Sequence, residues 1–171
     1  MKKFAFMWMP ILFWAGLIFL FSSQPYEKQN LRPFLTKSVN LDWISMIFSD
    51  FSITYAGKVI SVDTVGVVGF LEFCIRKGAH FFVFFIFGLL LFRAFISFIN
   101  SRQQLSFMIS LCLVVLYAVL DEYHQMFTEN RTPLIHDVFL DVCGGIIGIF
   151  LATFLYKGTY VAKNKVSLPS K

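Results

Sequence analysis

The chain has 171 residues, enough for one domain, and 57% of them are hydrophobic while only 15% are charged. With aromatics at 19%, including 23 Phe, and a mean hydropathy of +0.71, a soluble core of this size could not bury so much apolar side chain. A purely water-soluble domain is excluded and lipid is the expected solvent. The net charge of +5 points to membrane orientation, not nucleic acid, because of where the charges fall.

The first apolar segment, Phe4–Phe21, carries no charge. It is too long for a signal peptide and no small-x-small cleavage site follows it before Gln24, so an uncleaved spanning helix is expected. A long connection runs from Ser22 to about Gly78. Within it, "SITYAGKVISV" (Ser52–Val62) alternates polar and apolar around Ala56-Gly57, the pattern of a small hairpin. Next, "VGVVGFLEFCIRK" (Val65–Lys77) has apolar residues at helical spacing and a basic end, as in an amphipathic helix lying at the outer membrane interface and leading into the second span. Three more apolar segments follow: Ala79–Ile99, about Leu105–Leu120 and about Leu134–Tyr156. Each approaches the roughly 20 residues a helix needs to cross a bilayer, and a lipid-exposed backbone must satisfy its own hydrogen bonds. The expected fold is an all-α integral membrane protein: four spanning helices over residues 1–157, an extracytoplasmic loop over 23–78 and a polar, disordered cytoplasmic tail over 158–171.

Orientation follows from Lys and Arg. If the N-terminus is cytoplasmic and the spans alternate, the inner side holds Lys2, Lys3, Arg93, Arg102, Lys157, Lys163, Lys165 and Lys171, and no acid. All ten acids, with the other seven cations, fall on the outer half. This is a positive-inside pattern with both termini in the cytoplasm. Trp8, Trp14 and the Phe-rich surfaces read as lipid contact. Cys74, Cys112 and Cys143 form no CxxC pair and read as small buried hydrophobes.

Between Asp121 and Asp141 eight ionisable side chains crowd into 21 residues, between almost purely apolar flanks. Asp121, His124, Gln125 and Thr128 share one helical face, and Glu122 points about 100° away. Asp137, Asp141, Gly144 and Gly148 share a face of the last span. Asp141 lies roughly 10 Å below the start of that span, where a charge costs a few kcal/mol. Gly144-xxx-Gly148 permits close approach of another helix. The first span ends in "FSSQP" (Phe21–Pro25) and the second begins "RKGAH" (Arg76–His80). All four outer ends thus carry polar residues, and one inward-facing cluster is expected, joining Lys77, His80, Asp121, His124, Arg131, Asp137 and Asp141.

"FSSQP", "RKGAHFFVFFIFG" (Arg76–Gly88) and "LYAVLDEYHQMFTENRTPLIHDVFLDVCGGIIG" (Leu116–Gly148) resemble the VanZ-like family of small bacterial membrane proteins. The family pattern is FSSQ, then K-x-x-H, then DE-x-HQ-x-F, then an Arg six residues before D-[VI]-x-x-[DN] and a Gly-rich helix. The matching positions are Lys77, His80, Asp121, Glu122, His124, Gln125, Phe127, Arg131, Asp137, Asp141 and Gly144. Where family members often carry Tyr after K-x-x-H, this chain has Phe84 and Phe85. The resemblance implies a four-helix membrane protein and, from the member that gave the family its name, resistance to teicoplanin, a glycopeptide antibiotic.

The residues admit several chemistries. His80, Asp121, Glu122, His124, Asp137 and Asp141 are the candidate catalytic groups. Arg76, Lys77, Gln125, Arg131, Ser23 and Gln24 are candidates for holding an anionic lipid-linked or cell-wall substrate. Asp121, Glu122, Asp137 and Asp141 offer oxygen ligands for Mg²⁺ or Ca²⁺, and His80 and His124 suit Zn²⁺; the sequence assigns no metal or cofactor. Lys77 and Arg131 could instead lock helix ends in a salt-bridge network. Ser22 and Ser23, beside His80, lack a GxSxG elbow and read as helix-ending hydrogen-bond groups. His136 faces away as an interfacial polar residue. An envelope enzyme and a non-enzymatic accessory or binding protein remain open, with membrane lipid as the expected partner. A transporter ranks last, because the first and third spans carry few polar groups in their inner halves.

Overall fold

The computed structural model of the chain describes residues 2–99, 102–128 and 134–166. Six helices and one hairpin follow in order: α1 (Lys2–Ser22), a 3₁₀ turn (Tyr26–Gln29), α2 (Arg32–Ser38), α3 (Leu41–Phe48), β1 (Ser52–Tyr55), β2 (Lys58–Ser61), α4 (Val62–Phe98), α5 (Gln103–Gln125) and α6 (Ile135–Val166). α4, α5 and α6 are each long and apolar enough to cross a membrane. Phe6–Ser22 and Glu27–Ser38, bent by 109°, make a fourth if the pair is one span. Large apolar side chains such as Phe13, Phe82, Met108 and Phe154 cover the outside, as expected when the solvent is lipid.

The hairpin is where the alternation placed it. Tyr55 pairs with Lys58 and Ser52 with Ser61. Ala56 and Gly57 both take positive φ, 51° and 75°, the tight-turn geometry that matches strand twist. The hairpin feeds directly into α4. Ser61 accepts the Thr64 N–H at 3.2 Å, and the Thr64 hydroxyl accepts the Ser61 N–H at 2.9 Å, a reciprocal cap that fixes where the helix begins.

Val65–Lys77 is helical and leads into the following apolar segment, as expected. It forms the first part of α4 and continues into the apolar segment, with one non-helical residue at Gly66 (φ 72°). Gly78 offers no steric reason to stop, and ending the helix there would leave its last four carbonyls without donors. The polar residues on this stretch are satisfied by pairing. Glu72, 3% exposed, meets Arg32 of α2 at 2.8 Å and Arg76, one turn on, at 3.5 Å. The segment after Lys157, expected as a disordered tail, continues α6 to Val166.

Glycine sets the packing of α4 against α6. A Cβ on Gly144 would fall on the Phe81 carbonyl, one on Gly148 on the Phe85 carbonyl, and one on Gly88 on the Gly145 backbone. Residue numbers rise together along this contact, so the two helices run parallel. Gly145 abuts the Val114 side chain of α5. Phe84, Phe92, Val114, Ala118 and Ile149 are completely buried between the helices. Ser106 and Ser110 of α5 are also buried, and their hydroxyls donate to the carbonyls one turn back at 2.9 and 2.7 Å.

Two long-range bonds join the middle of α1 to this bundle, besides the Ser23–His124 contact just past its end. Trp14 Nε1 donates to the Val83 carbonyl at 2.8 Å, and the Tyr117 hydroxyl donates to the Ala15 carbonyl at 2.6 Å. Trp14 is therefore a half-buried joint and not a lipid-facing ring. Trp8 meets Phe95 and Phe98 edge-on. Of the cysteines, Cys112 and Cys143 lie exposed on the bundle surface, against the buried expectation, and Cys74 is half-buried.

Candidate functional site

The polar side chains gather at the hairpin end of the bundle. Helical spacing delivers them in pairs. Lys77 and His80 are three apart on α4, and Asp137 and Asp141 are four apart on the parallel α6, so each pair projects from one face. The Lys77 ammonium is ion-paired with Asp137. One turn deeper, His80 Nδ1 stands 3.4 Å from Asp141 Oδ1, but the contact lacks hydrogen-bond geometry. Asp141 is 0% exposed, and neither of its oxygens has a hydrogen-bond partner among the described residues.

The hairpin completes the upper pair. The Tyr55 hydroxyl donates to the same Asp137 oxygen that Lys77 uses, and the Lys77 ammonium lies 4.7 Å from the Tyr55 ring centroid, within cation–π range. Burial first, then the bond to Asp137, push the Tyr55 phenol above its ordinary pKa. It therefore stays protonated and acts as a donor. Tyr55 is a member of the cluster that the sequence did not single out.

α5 supplies the other carboxylates. Asp121 is buried and accepts from the Gln125 side chain at 2.8 Å. Glu122, about 100° round the helix, accepts the backbone N–H of Leu134 at the start of α6. That places a carboxylate at a helix N-terminus, where free N–H groups and the helix dipole favour it. His124 goes elsewhere. The Ser23 hydroxyl already donates to the Phe19 carbonyl at 2.7 Å, so its oxygen accepts from His124 Nε2 at 2.9 Å. In that arrangement His124 does not withdraw the Ser23 proton. His136 is exposed, with its ring centroid 5.5 Å from that of Tyr55.

A cavity of about 410 Å³ opens beside the cluster. Ser22, Gln24, Lys28, Arg76, His80 and Asp121 supply its polar lining, while Ile18, Ile75 and Val83 form part of its apolar wall. Ser22 lies here with His80, while Ser23 turns to His124. The Ser22 Oγ is buried, at 4% exposure for the residue, and has no hydrogen-bond partner.

His80, Asp121 and Asp141 thus meet, with one ligand atom of each within 4.8 Å of the others. Lys77 and Asp137 form the neighbouring pair. Arg76 and Gln24 reach the cavity, with Arg76 also held by Glu72. Gln125 serves Asp121, Glu122 serves the start of α6, and Ser23 pairs with His124. Arg131 lies outside the described residues. Lys28 on the cavity wall and the Arg32–Glu72–Arg76 group went unrecognised in the sequence. No periodicity links Lys28 or Arg32 to the rest, although Glu72, four residues before Arg76 on one helix, was a usable signal.

The family model described as VanZ/LLP1 matches residues 7–156 of the chain. No curated protein and no solved structure matches it.

Proposed function

We infer that this chain, which belongs to the VanZ/LLP1 family, is a multi-pass envelope protein that binds the anionic head of a lipid or lipid-linked cell-wall precursor at the outer side of the membrane. The observation that carries this reading is the cavity. It joins an apolar wall, fit for acyl chain, to Lys28 and Arg76, fit for a phosphate or carboxylate, and to His80 and Asp121. Arginine and lysine hold such anions by charge-assisted hydrogen bonds. His80, with Asp121 or Asp141, is positioned to move a proton on the bound head. The alternative is an accessory protein whose polar groups only lock the helices, favoured by the Lys77–Asp137 and Arg32–Glu72 pairs. Ser22, His80 and Asp121 speak for the binding reading, because they line a space instead of closing it.

The topology proposed with this function has four spans over residues 1–157 and both termini in the cytoplasm. α1 alone, 21 residues long, covers about 32 Å, enough for the hydrocarbon layer. The parallel course of α4 and α6 matches alternating spans, and the acids crowd on one side of this arrangement. α2 and α3, with exposed Phe34, Trp43, Met46 and Ile47, then rest in the outer interface, where Trp is favoured. An alkaline-phosphatase reporter fused after Lys37 is expected to be active, and one fused after Lys165 silent. The opposite result at either site overturns the topology.

The expected phenotype is reduced sensitivity to glycopeptides such as teicoplanin. Overexpression in a teicoplanin-sensitive strain should raise the inhibitory concentration. Lys28→Glu reverses charge on an exposed residue at the cavity wall, and should remove the shift at unchanged membrane protein level. No shift with the wild type rejects the resistance reading. A full shift with Lys28→Glu rejects anion binding in this cavity.

A further inference from the structure

We propose that His80, Asp121 and Asp141 hold one divalent first-row cation, Zn²⁺ or Mn²⁺, behind the cavity wall. Four observations converge on it. One ligand atom from each of the three residues lies within 4.8 Å of the others. Around a first-row cation at about 2.1 Å, ligand atoms stand roughly 3.0–4.2 Å apart, so the cluster needs only a small contraction. Asp141 is fully buried and both its oxygens lack hydrogen-bond partners, although a buried carboxylate normally has its lone pairs satisfied. Finally, Ser22 presents a third buried, partnerless oxygen, on the wall that His80 and Asp121 share.

Charge favours the same assignment. Two carboxylates this close repel each other strongly at low dielectric, and a dication with two carboxylates and a neutral imidazole makes a neutral unit. The nearby cations with partners in the structure are engaged elsewhere: Lys77 with Asp137, and Arg32 and Arg76 with Glu72. One imidazole nitrogen beside two carboxylates suits Zn²⁺ or Mn²⁺ better than Mg²⁺ or Ca²⁺, which prefer oxygen donors throughout. Three protein ligands leave a coordination position for water or substrate.

The inference deepens the cavity reading and, for the identity of the fourth ligand, rests on it. An anionic head entering beside Asp121, with the buried Asp141 behind it, would face two like charges. A cation between them turns that repulsion into attraction and gives a phosphate oxygen a position next to Ser22. Binding of the metal itself needs no substrate and stands apart from the cavity reading.

The test uses the full chain in detergent, stripped with chelator and titrated with Zn²⁺ alone and with Mn²⁺ alone. Zn²⁺ is followed by bound metal per protein and by thermal midpoint, Mn²⁺ by its electron-spin signal; Mg²⁺ and Ca²⁺ serve as comparison arms. Wild type should bind one equivalent of Zn²⁺ and gain several degrees, and Mg²⁺ and Ca²⁺ should do neither. Asp141→Asn should bind on the order of 100-fold more weakly or not at all, since a group bonded to the metal matters at least as much as one that only orients such a group. Its metal-free form should melt no lower than metal-free wild type, because the substitution replaces a buried carboxylate whose oxygens lack hydrogen bonds with a neutral amide. His80→Gln should also lose binding and carries the comparison if Asp141→Asn does not fold. His136→Asn, at an exposed histidine, should bind like wild type. Three results overturn the site: no bound Zn²⁺ or Mn²⁺ in wild type, binding retained in His80→Gln, or binding lost only in His136→Asn. Retention of phosphatidylglycerol through purification, compared between wild type and Lys28→Glu without metal, reads the cavity separately.

Discussion

Gly148→Leu is expected to leave no monodisperse, folded protein after detergent extraction, whereas Gly16→Leu is expected to extract and melt like the wild type. Both glycines sit in apolar helices, and in sequence they look alike. A Cβ at Gly148 would collide with the Phe85 carbonyl and crowd the Leu89 backbone nitrogen, while one at Gly16 meets nothing within 4 Å. Overfilling a core that can adjust costs about 1–3 kcal/mol. Here the obstacle is backbone, so relief requires α4 and α6 to part along their whole contact, and Phe84 and Ile149, both at 0% exposure, lose their packing as well. A cost of that kind consumes much of the 5–15 kcal/mol that typically holds a domain together. Size-exclusion profile and thermal midpoint of the two variants decide the matter. A well-folded Gly148→Leu would mean the close α4–α6 approach is wrong.

The second large effect is expected at Lys77. Lys77→Met removes the cation from a mostly buried pair and leaves Asp137 charged against α6, with Tyr55 as its remaining side-chain partner among the described residues. Breaking one side of a buried pair typically costs about 3–5 kcal/mol, because the survivor is an uncompensated charge. The compensating change is Asp137→Asn, which is neutral yet can still accept from the Tyr55 hydroxyl. The double variant Lys77→Met/Asp137→Asn should therefore recover most of the stability lost by Lys77→Met alone. A denaturation midpoint for each single variant and the double forms the cycle. If Lys77→Met alone melts like wild type, the pair contributes nothing. If the double variant is no better than the single, Lys77 acts through packing on Tyr55 and Phe73 and not through Asp137.

Helical periodicity made much of this site readable in advance. Lys77 and His80 at i, i+3, and Asp137 and Asp141 at i, i+4, each announce a single face, and two such faces on neighbouring apolar helices have few ways to meet. The glycines at 144 and 148 announced the close approach by the same logic. Tyr55 could not be read that way. It reaches Asp137 across 82 residues, from a hairpin whose alternation fixes its strands but not where they dock. Val65–Lys77 was legible as a helix leading into the apolar segment beyond, but the partners of its polar residues at 72, 76 and 77 were not. In the structure each is paired, Glu72 with Arg32 and Arg76, and Lys77 with Asp137. His124 illustrates the converse: it shares a face with Asp121 on α5, yet the nearer end of α1 captures it through Ser23.

The contacts between α4 and α6 repeat like the teeth of two meshed racks: Lys77 on Asp137, His80 near Asp141, then the backbones of Phe81 and Phe85 seated on Gly144 and Gly148. Meshed racks do not slip. Moving either helix on by one residue shifts it about 1.5 Å and turns it about 100°, which would withdraw every tooth at once. α1 is held differently, by the Trp14 and Tyr117 hydrogen bonds to backbone carbonyls and by the Ser23–His124 bond just past its end. The same meshing sets a rule for inheritance. A single codon inserted or lost between Lys77 and Phe85, or between Asp137 and Gly148, should behave as a null allele. Side-chain changes on the lipid-facing side of the same helices should pass unnoticed.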